Sequence, residues 1–301
     1  VAPGSTNTTT ITASPTTADG DVPRSDSIVG LRDALAAGSV AVLTGAGMST
    51  ESGIPDYRGP DSPPRTPMTY QQFISDPAFR RHYWARNHVG WRFLDSARPN
   101  DGHRAVADLE RAGRITGVIT QNVDMLHTKA GSRAVIDLHG VYGRVRCLSC
   151  DTLMSRHHLD EILEELNPGF AEHYRDPGMV ELAPDADAVI TDTSHFSMID
   201  CPRCGGILKP DIVYFGESVP AERVARCFDL IDRSTSVVVL GSSLTVMSGL
   251  RFVRHAFRQG KPIHIVNRGA TRADDIATTR INAGCSDVLL TVSTALRYGA
   301  A

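Results

Sequence analysis

The chain has 301 residues, 41% of them hydrophobic and 22% charged, with a formal net charge of −3. Such a chain can bury a substantial core as one large domain carrying a smaller insert. The near-neutral balance leaves no electrostatic footprint for general nucleic-acid binding, and no apolar run is long enough to cross a bilayer.

Residues 1–27 are dominated by Thr, Ser, Ala, Pro, Gly and Asp, with Ile11 and a few Val the only large apolar side chains. This composition predicts a disordered tail. It lacks the charged start and apolar stretch of a secretion signal, and with Arg24 its only basic residue it makes a poor transit peptide. A cytoplasmic location is the expectation.

Residues 28–301 read as the folded part. Ile28, Leu31 and Leu35 have helical spacing, and Gly38 ends that helix before the apolar run Val40–Leu43, which reads as a buried strand. The strand empties into Thr44-Gly45-Ala46-Gly47-Met48-Ser49-Thr50-Glu51-Ser52-Gly53-Ile54-Pro55-Asp56-Tyr57-Arg58. Glycines there let backbone N–H groups approach a pyrophosphate, and a following helix N-terminus adds partial positive charge. The run departs from the dinucleotide fingerprint at Thr50, where a third Gly would stand, and no acidic residue closes a second strand about 20 residues on. Pro60–Pro67 reads as a mobile lid, with Arg65 a candidate phosphate contact.

A helical region follows with Phe73, Phe79, Tyr83, Trp84, Trp91 and Phe93 as a core or cleft wall. Tyr83-Trp84-Ala85-Arg86-Asn87 admits two readings: a helix packing its rings inward with Arg86 solvated, or Tyr83 and Arg86 lining a pocket where Arg86 pairs with a carboxylate. His103 should cap or pack the next helix, which ends near Gly113. The strand Ile115–Thr120 then delivers Gln121-Asn122-Val123-Asp124 at its carboxyl end, where open α/β sheets bind ligands. Asp124 there can serve as N-cap of a helix Met125–Ala130 or contact a ligand; His127 is expected to be structural. The short strand Ala134–Leu138 ends in His139-Gly140. Its place at a strand end, the backbone room beside Gly140 and a pKa near neutrality make His139 a candidate general base.

Cys147-x-x-Cys150 and Cys201-x-x-Cys204 supply two thiolates each, completing a closed four-cysteine zinc site with no open position, hence a structural one. A helix His158–Leu166 lies between the pairs. Cys227 and Cys285 read as packing thiols. Leu208–Glu217 alternates weakly. Helix Glu222–Ile231 should bury Val224, Phe228 and Ile231, and strand Ser236–Leu240 runs into Gly241-Ser242-Ser243, a small-residue turn able to contact phosphate and ribose oxygens. Strand Pro262–Val266 ends at Asn267-Arg268-Gly269, where Asn267 can take the ribose role that the absent acid leaves open. Strands alternating with helices, with ligand residues at strand ends, indicate an α/β fold: a doubly wound, Rossmann-like parallel sheet with a zinc-binding insert over about residues 141–210.

The run Gly45–Arg58 closely resembles the cofactor-binding loop of the sirtuins, NAD-dependent protein lysine deacylases, with Tyr57 for Phe as its one departure. Gln121–His127 and Leu138-His139-Gly140 match further sirtuin motifs, and the likeness spans about residues 28–295. Arg81–Trp91 looks like the class II branch, in which simple deacetylation is often not the preferred activity. The resemblance implies an NAD site made of Gly45, Ala46, Gly47, Ser49, Thr50, Ile54, Pro55, Asp56, Tyr57, Arg58, Arg65, Thr120, Gln121, Asn122, Val123, Asp124, Gly241, Ser242, Ser243, Asn267, Arg268, Gly269 and Cys285. In it Asp56 and Arg58 position ribose and phosphates, Gln121 and Asn122 contact the nicotinamide ribose, Val123 and Asp124 hold the carboxamide, and Tyr57 covers the reactive face. His139, assisted by Asn122, would be the catalytic base, and Leu208–Glu217 would lie against the substrate peptide.

The implied reaction consumes NAD as a co-substrate, moves an acyl group from a protein lysine to ADP-ribose and releases nicotinamide, with one structural Zn2+ and acyl-lysine proteins as partners. Neither nucleic acid nor membrane is expected. Mono-ADP-ribosyl transfer would use the same NAD site. A dehydrogenase would need the full fingerprint, and a non-enzymatic zinc ribbon would need neither Gln121-Asn122 nor His139.

Overall fold

The computed structural model describes residues 25–57, 67–174, 190 and 192–298. Arg58, Arg65 and most of the expected lid lie outside them. So does the expected tail, apart from residues 25–27, which open the first helix rather than end a tail. The elements in order are α1 (Ser25–Ala37), β1 (Val40–Thr44), α2 (Tyr70–Ser75), α3 (Pro77–Ser96), α4 (Asp101–Arg111), β2 (Ile115–Thr120), α5 (Leu126–Lys129) and β3 (Val135–Asp137). Next come β4 (Gly140–Cys147), β5 (Leu153–Ser155), α6 (Arg156–Leu166), α7 (Phe170–His173), β6 (Leu208–Ile212) and α8 (Ala221–Arg233). The chain closes with β7 (Ser236–Leu240), α9 (Met247–Arg258), β8 (Ile263–Val266), β9 (Thr279–Ile281) and α10 (Cys285–Tyr298).

Six strands form a wholly parallel sheet in the order β3-β2-β1-β7-β8-β9. The central strands are apolar on both faces because both faces are covered. Val40 and Val42 of β1, with Val238 and Leu240 of β7, pack against α1, α4 and α10. Their neighbours Ala41, Leu43, Val237 and Val239 pack against Leu230 and Ile231 of α8 and Phe252, Val253 and Ala256 of α9. Val224 and Phe228 only lean on that cluster, half-buried. This is the expected doubly wound sheet, and its order reverses between β1 and β7.

At that reversal two glycine turns interlock. The Gly45 N–H donates to Leu240 O (3.0 Å) and the Gly47 N–H to Gly241 O (2.9 Å). A Cβ on Gly45 would lie 2.8 Å from the Gly241 oxygen, and one on Gly241, held at φ +61°, would lie 2.3 Å from the Met48 nitrogen. Two 3-10 turns, Ala46–Met48 and Thr50–Ser52, replace the expected helix start, and Gly53 at φ +83° ends them. The chain cannot wind an α-helix here and still hug the second turn.

A second, antiparallel sheet, β5-β4-β6, carries the cysteine pairs. Its lobe takes in α2 and α3 as well as the segment from β4 to β6, because Phe73, Tyr83, Trp84 and Trp91 share one core with Tyr142, Val145, Leu159, Leu163 and Tyr214. Phe79 is the exception to the expected aromatic wall and faces solvent, 42% exposed. The fully buried Arg156 lies over the rings of Trp84 (5.7 Å) and Trp91 (5.1 Å) and donates to Asn87 Oδ1. Burial lowers its pKa to about 10, and Asp160 at 3.4 Å offsets the charge.

Gly241→Ala meets both the backbone clash and the left-handed φ, whereas Gly53→Ala meets only the φ, with nothing within 4 Å of its Cβ position. Urea unfolding should show a loss of about 1 kcal/mol for Gly53→Ala and about 2–4 kcal/mol for Gly241→Ala. Equal losses would mean that the turns can part without cost.

Candidate active site

A cleft of about 890 Å³ opens at the carboxyl edge of the parallel sheet, between that sheet and the small lobe. Of the residues expected in the site, Gly45, Ala46, Gly47, Ser49, Ile54, Asp56 and Tyr57 line it from the β1 turn, and Gln121, Asn122, Val123 and Asp124 from the end of β2. His139 lies on its floor, and Gly241, Ser242, Ser243, Asn267, Arg268 and Gly269 form its far wall. Thr50, Pro55, Thr120 and Cys285 are not among the lining residues. Thr50 Oγ1 donates to Gly47 O (3.2 Å), Thr120 is buried beneath the cleft, and burial pushes the Cys285 thiol up to about 12. Pro55 lines a separate cavity of about 510 Å³ behind the loop.

One hydrogen-bonded web ties the ends of β1 and β2 together. Asn122 Nδ2 donates to Gly45 O (3.0 Å) and Ser49 Oγ (3.0 Å), and Ser49 Oγ donates to Asp124 Oδ2 (2.6 Å). Asp124 Oδ1 accepts from the Leu126 N–H (2.8 Å), so it caps the turn into α5 and lines the cleft at once. Burial raises the Asp124 pKa while these donors hold it down. Gln121 Nε2 donates to Ser242 Oγ (2.8 Å), linking β2 to the β7 turn. Beneath them Thr44 Oγ1 donates to Thr120 Oγ1 (2.9 Å) and accepts from His127 Nε2 (3.1 Å). His127 stacks edge-on with His103 at 4.8 Å, and both rings are buried. His103 therefore packs rather than caps; the cap of α4 is Asn100, whose Oδ1 accepts from the His103 N–H.

His139 is half-buried. Its Nδ1 lies 2.9 Å from Gln121 O, an acceptor only, so Nδ1 carries the hydrogen and Nε2 is the free base. Nε2 accepts from Ser248 Oγ at 2.7 Å. Burial lowers the His139 pKa against the raising effect of the Gln121 carbonyl, and Arg223 and Arg251 lower it further. The ring is thus neutral at pH 7, as a general base must be. Gly140 beside it allows close approach of β6: a Cβ there would lie 2.0 Å from Asp211 O, and the Val213 N–H donates to His139 O (2.7 Å).

The cleft takes in the expected peptide-facing segment from Val213 to Glu217, and it adds residues that the sequence did not assign to the site, Ser218 and Val219 and, on α9, Ser248 and Arg251. The buried Lys209 pins that segment. Its ammonium bonds Ile212 O and Glu217 Oε2, and Glu217 Oε2 also accepts from the Tyr214 N–H (2.9 Å). Tyr83 and Arg86 do not line the cleft. Tyr83 Oη meets Tyr142 Oη at 2.7 Å in the aromatic core, and Arg86 Nη1 sits 3.1 Å from His82 Nε2.

The sulfur atoms of Cys147, Cys150, Cys201 and Cys204 all lie within 4.8 Å of one another. The pairs Cys147–Cys204 at 3.5 Å and Cys150–Cys201 at 3.8 Å approximate the edge of a tetrahedron of sulfurs around zinc, about 3.8 Å for a 2.3 Å Zn–S bond. The donor set fits a closed zinc site remote from the cleft floor.

The sequence model of the Sir2 family matches residues 45–248. The chain is 63% identical over 255 residues to "NAD-dependent protein deacetylase 1" of Mycobacterium avium (strain 104), covering 85% of this chain and 90% of that one. It is 53% identical over 275 residues to the protein of the same name from Streptomyces coelicolor (strain ATCC BAA-471 / A3(2) / M145), covering 90% of each. The solved structure titled "Structural Basis for the Mechanism and Regulation of Sir2 Enzymes" superposes with a TM-score of 0.71 at 30% identity, over 91% of this chain and 99% of that one.

Chelation should remove one zinc per chain and unfold the small lobe, read by a colorimetric zinc assay beside circular dichroism; a folded, zinc-free lobe would overturn the assignment. Acid should destabilise the protein through His103 and His127, whose pKa values are lowered from 6.5 to about 4 and about 3 by burial. Both are neutral when folded, so their contribution is complete above pH 6.5 and is lost as pH falls toward those values. Urea unfolding at pH 7 and pH 5 should differ by about 2 kcal/mol per histidine, and His127→Gln should remove its share.

Proposed function

Since the chain belongs to the Sir2 family, we propose that its cleft carries out NAD-dependent removal of acyl groups, acetyl or longer, from protein lysine side chains. The observation that carries this reading is the neutral His139, its Nε2 at the floor of a cleft walled by the interlocked glycine turns on one side and the pinned Val213–Val219 segment on the other. A dehydrogenase would carry the full glycine fingerprint, which Thr50 interrupts.

The turns at Gly45–Ser49 and Gly241–Ser243 would offer the pyrophosphate the Ser242 and Ser243 hydroxyls and those backbone N–H groups that their mutual contact does not use, and Asn267 would hold the adenine ribose. Asn122 would contact the nicotinamide ribose, and Asp124 would hold the carboxamide. When bound, NAD would supply a ribose carbon that exchanges nicotinamide for the acyl oxygen, and one water would then complete the products, O-acyl-ADP-ribose and free lysine. His139 takes the proton of a ribose hydroxyl at Nε2 while the Gln121 carbonyl holds Nδ1–H and supports the imidazolium that forms. Tyr57, in edge contact with Phe215 at 6.1 Å, would cover the reactive face against returning nicotinamide. The peptide lies extended along Val213–Val219, strand against strand, which tolerates many sequences. We place the reaction in the cytoplasm, where the four zinc thiolates stay reduced; no described helix is long and apolar enough to cross a membrane.

Zinc-loaded protein incubated with NAD and acetyl-, longer acyl- and acidic acyl-lysine peptides should release nicotinamide stoichiometrically with deacylated peptide, followed by mass spectrometry. His139→Ala should lower kcat about 10²- to 10⁴-fold with zinc content unchanged. Because the His139 pKa lies below 6.5, kcat/KM should be level around pH 7 to 8 and fall only as pH drops below that value. Failure of every peptide to release nicotinamide would sink the assignment.

A further inference from the structure

We propose that Arg251 is the receiver for a carboxylate that the substrate carries beside its reacting lysine. This rests on the deacylase reading and adds a substrate preference to it.

The first turn of α9 is locked onto the base: Ser248 Oγ donates to His139 Nε2 at 2.7 Å. Arg251 lies one turn on, on the same face, and its Nε donates back to Ser248 O at 3.3 Å. Its guanidinium lines the cleft, with no carboxylate against it among the described residues. The acids of the cleft are already engaged. Asp124 is held by Ser49 and Leu126, Glu217 by Lys209 and Tyr214, and Asp56 has its own partner. Arg223 of α8 donates to Leu138 O (3.3 Å), next to His139, and adds a second positive charge on the same side.

The remaining wall is apolar, formed by Val219, Ala221, Val224 and Val246. A half-buried guanidinium beside such a wall is poorly screened, so an incoming carboxylate gains a charge-assisted, bidentate pair rather than a weak surface contact. The carboxylate can come from the end of a dicarboxylic acyl chain or from an Asp or Glu flanking the acyl-lysine in the peptide.

Four peptides of one sequence separate these sources: acetyl-lysine with neutral neighbours, acetyl-lysine with acidic neighbours, glutaryl-lysine with neutral neighbours, and pentanoyl-lysine as its uncharged match. In the wild-type protein, one acid-bearing peptide should exceed its neutral match in kcat/KM by about 10- to 100-fold. Arg251→Met should collapse that ratio to within about threefold of unity, and Arg251→Lys should keep part of it, since Lys retains the charge but not the fork. Which acid-bearing peptide shows the preference identifies the source. Calorimetric binding of the same peptides in a His139→Ala background gives the ratio even if no peptide is turned over, a result that would defeat the deacylase reading alone. A wild-type ratio near or below one, a ratio unchanged in Arg251→Met, or a rise in KM for NAD shared by all four peptides would overturn the proposal.

Discussion

Two backbone turns that occupy each other's side-chain space set the geometry of this protein. Where β1 and β7 end, Gly45 and Gly47 donate to the carbonyls of Leu240 and Gly241, and no Cβ fits on either side. The glycines that look suited to a pyrophosphate are thus first required by the protein's own packing. Because the turns must stay in contact, the chain after Gly47 winds as short 3-10 turns instead of an α-helix. Ser49 is thereby buried facing Asp124, and Ile54, Asp56 and Tyr57 are carried over the crevice. The reversal of strand order that opens the crevice and the loop that roofs it share one cause.

The web around Ser49, Asn122 and Asp124 turns that contact into a preorganised site. Each member is partnered mainly by the others, so loss of one leaves the rest buried and short of partners, at a cost of about 1–3 kcal/mol per group. Such a web does not soften gradually. Its lower layer, Thr44, Thr120 and His127, continues under the sheet edge, and the neutrality of His127 and His103 is the condition for burying two imidazoles in contact. The same burial that fixes the site thus makes the fold sensitive to acid.

Much of this was legible because the residues concerned are of unusual type at fixed spacing. The four cysteines, the strand-end Gln121–Asp124, His139 and the glycine turn all announce themselves, and the sequence placed β1, β2, β7 and β8 correctly because their apolar runs are bounded by Gly or polar ligand residues. The strands β4, β5 and β9 were missed: β5 and β9 are only three residues long, and Arg144 and Arg146 of β4 and Arg280 of β9 interrupt the alternation and find partners only in the folded state. Phe79 misled because an aromatic on a helix says nothing about which face it occupies. The choice between the two readings of Tyr83 depended on Tyr142, 59 residues away, and no local pattern carries that distance.

Ser248 and Arg251 were illegible for a further reason. A Ser and an Arg three apart in an amphipathic helix are ordinary, and nothing in Met247–Arg258 marks them until the helix is docked beside His139. Once it is, the two positions have different consequences. Ser248 occupies the lone pair of Nε2, so on the proposed reading a substrate hydroxyl entering the cleft would exchange one hydrogen bond for another of the same kind and leave the ring oriented as before. Arg251, anchored to the carbonyl of that serine, has no carboxylate against it among the described residues. On the proposed reading, a cation with no counter-ion among the described residues costs stability in the free protein, and a negative charge arriving with the substrate would recover that cost.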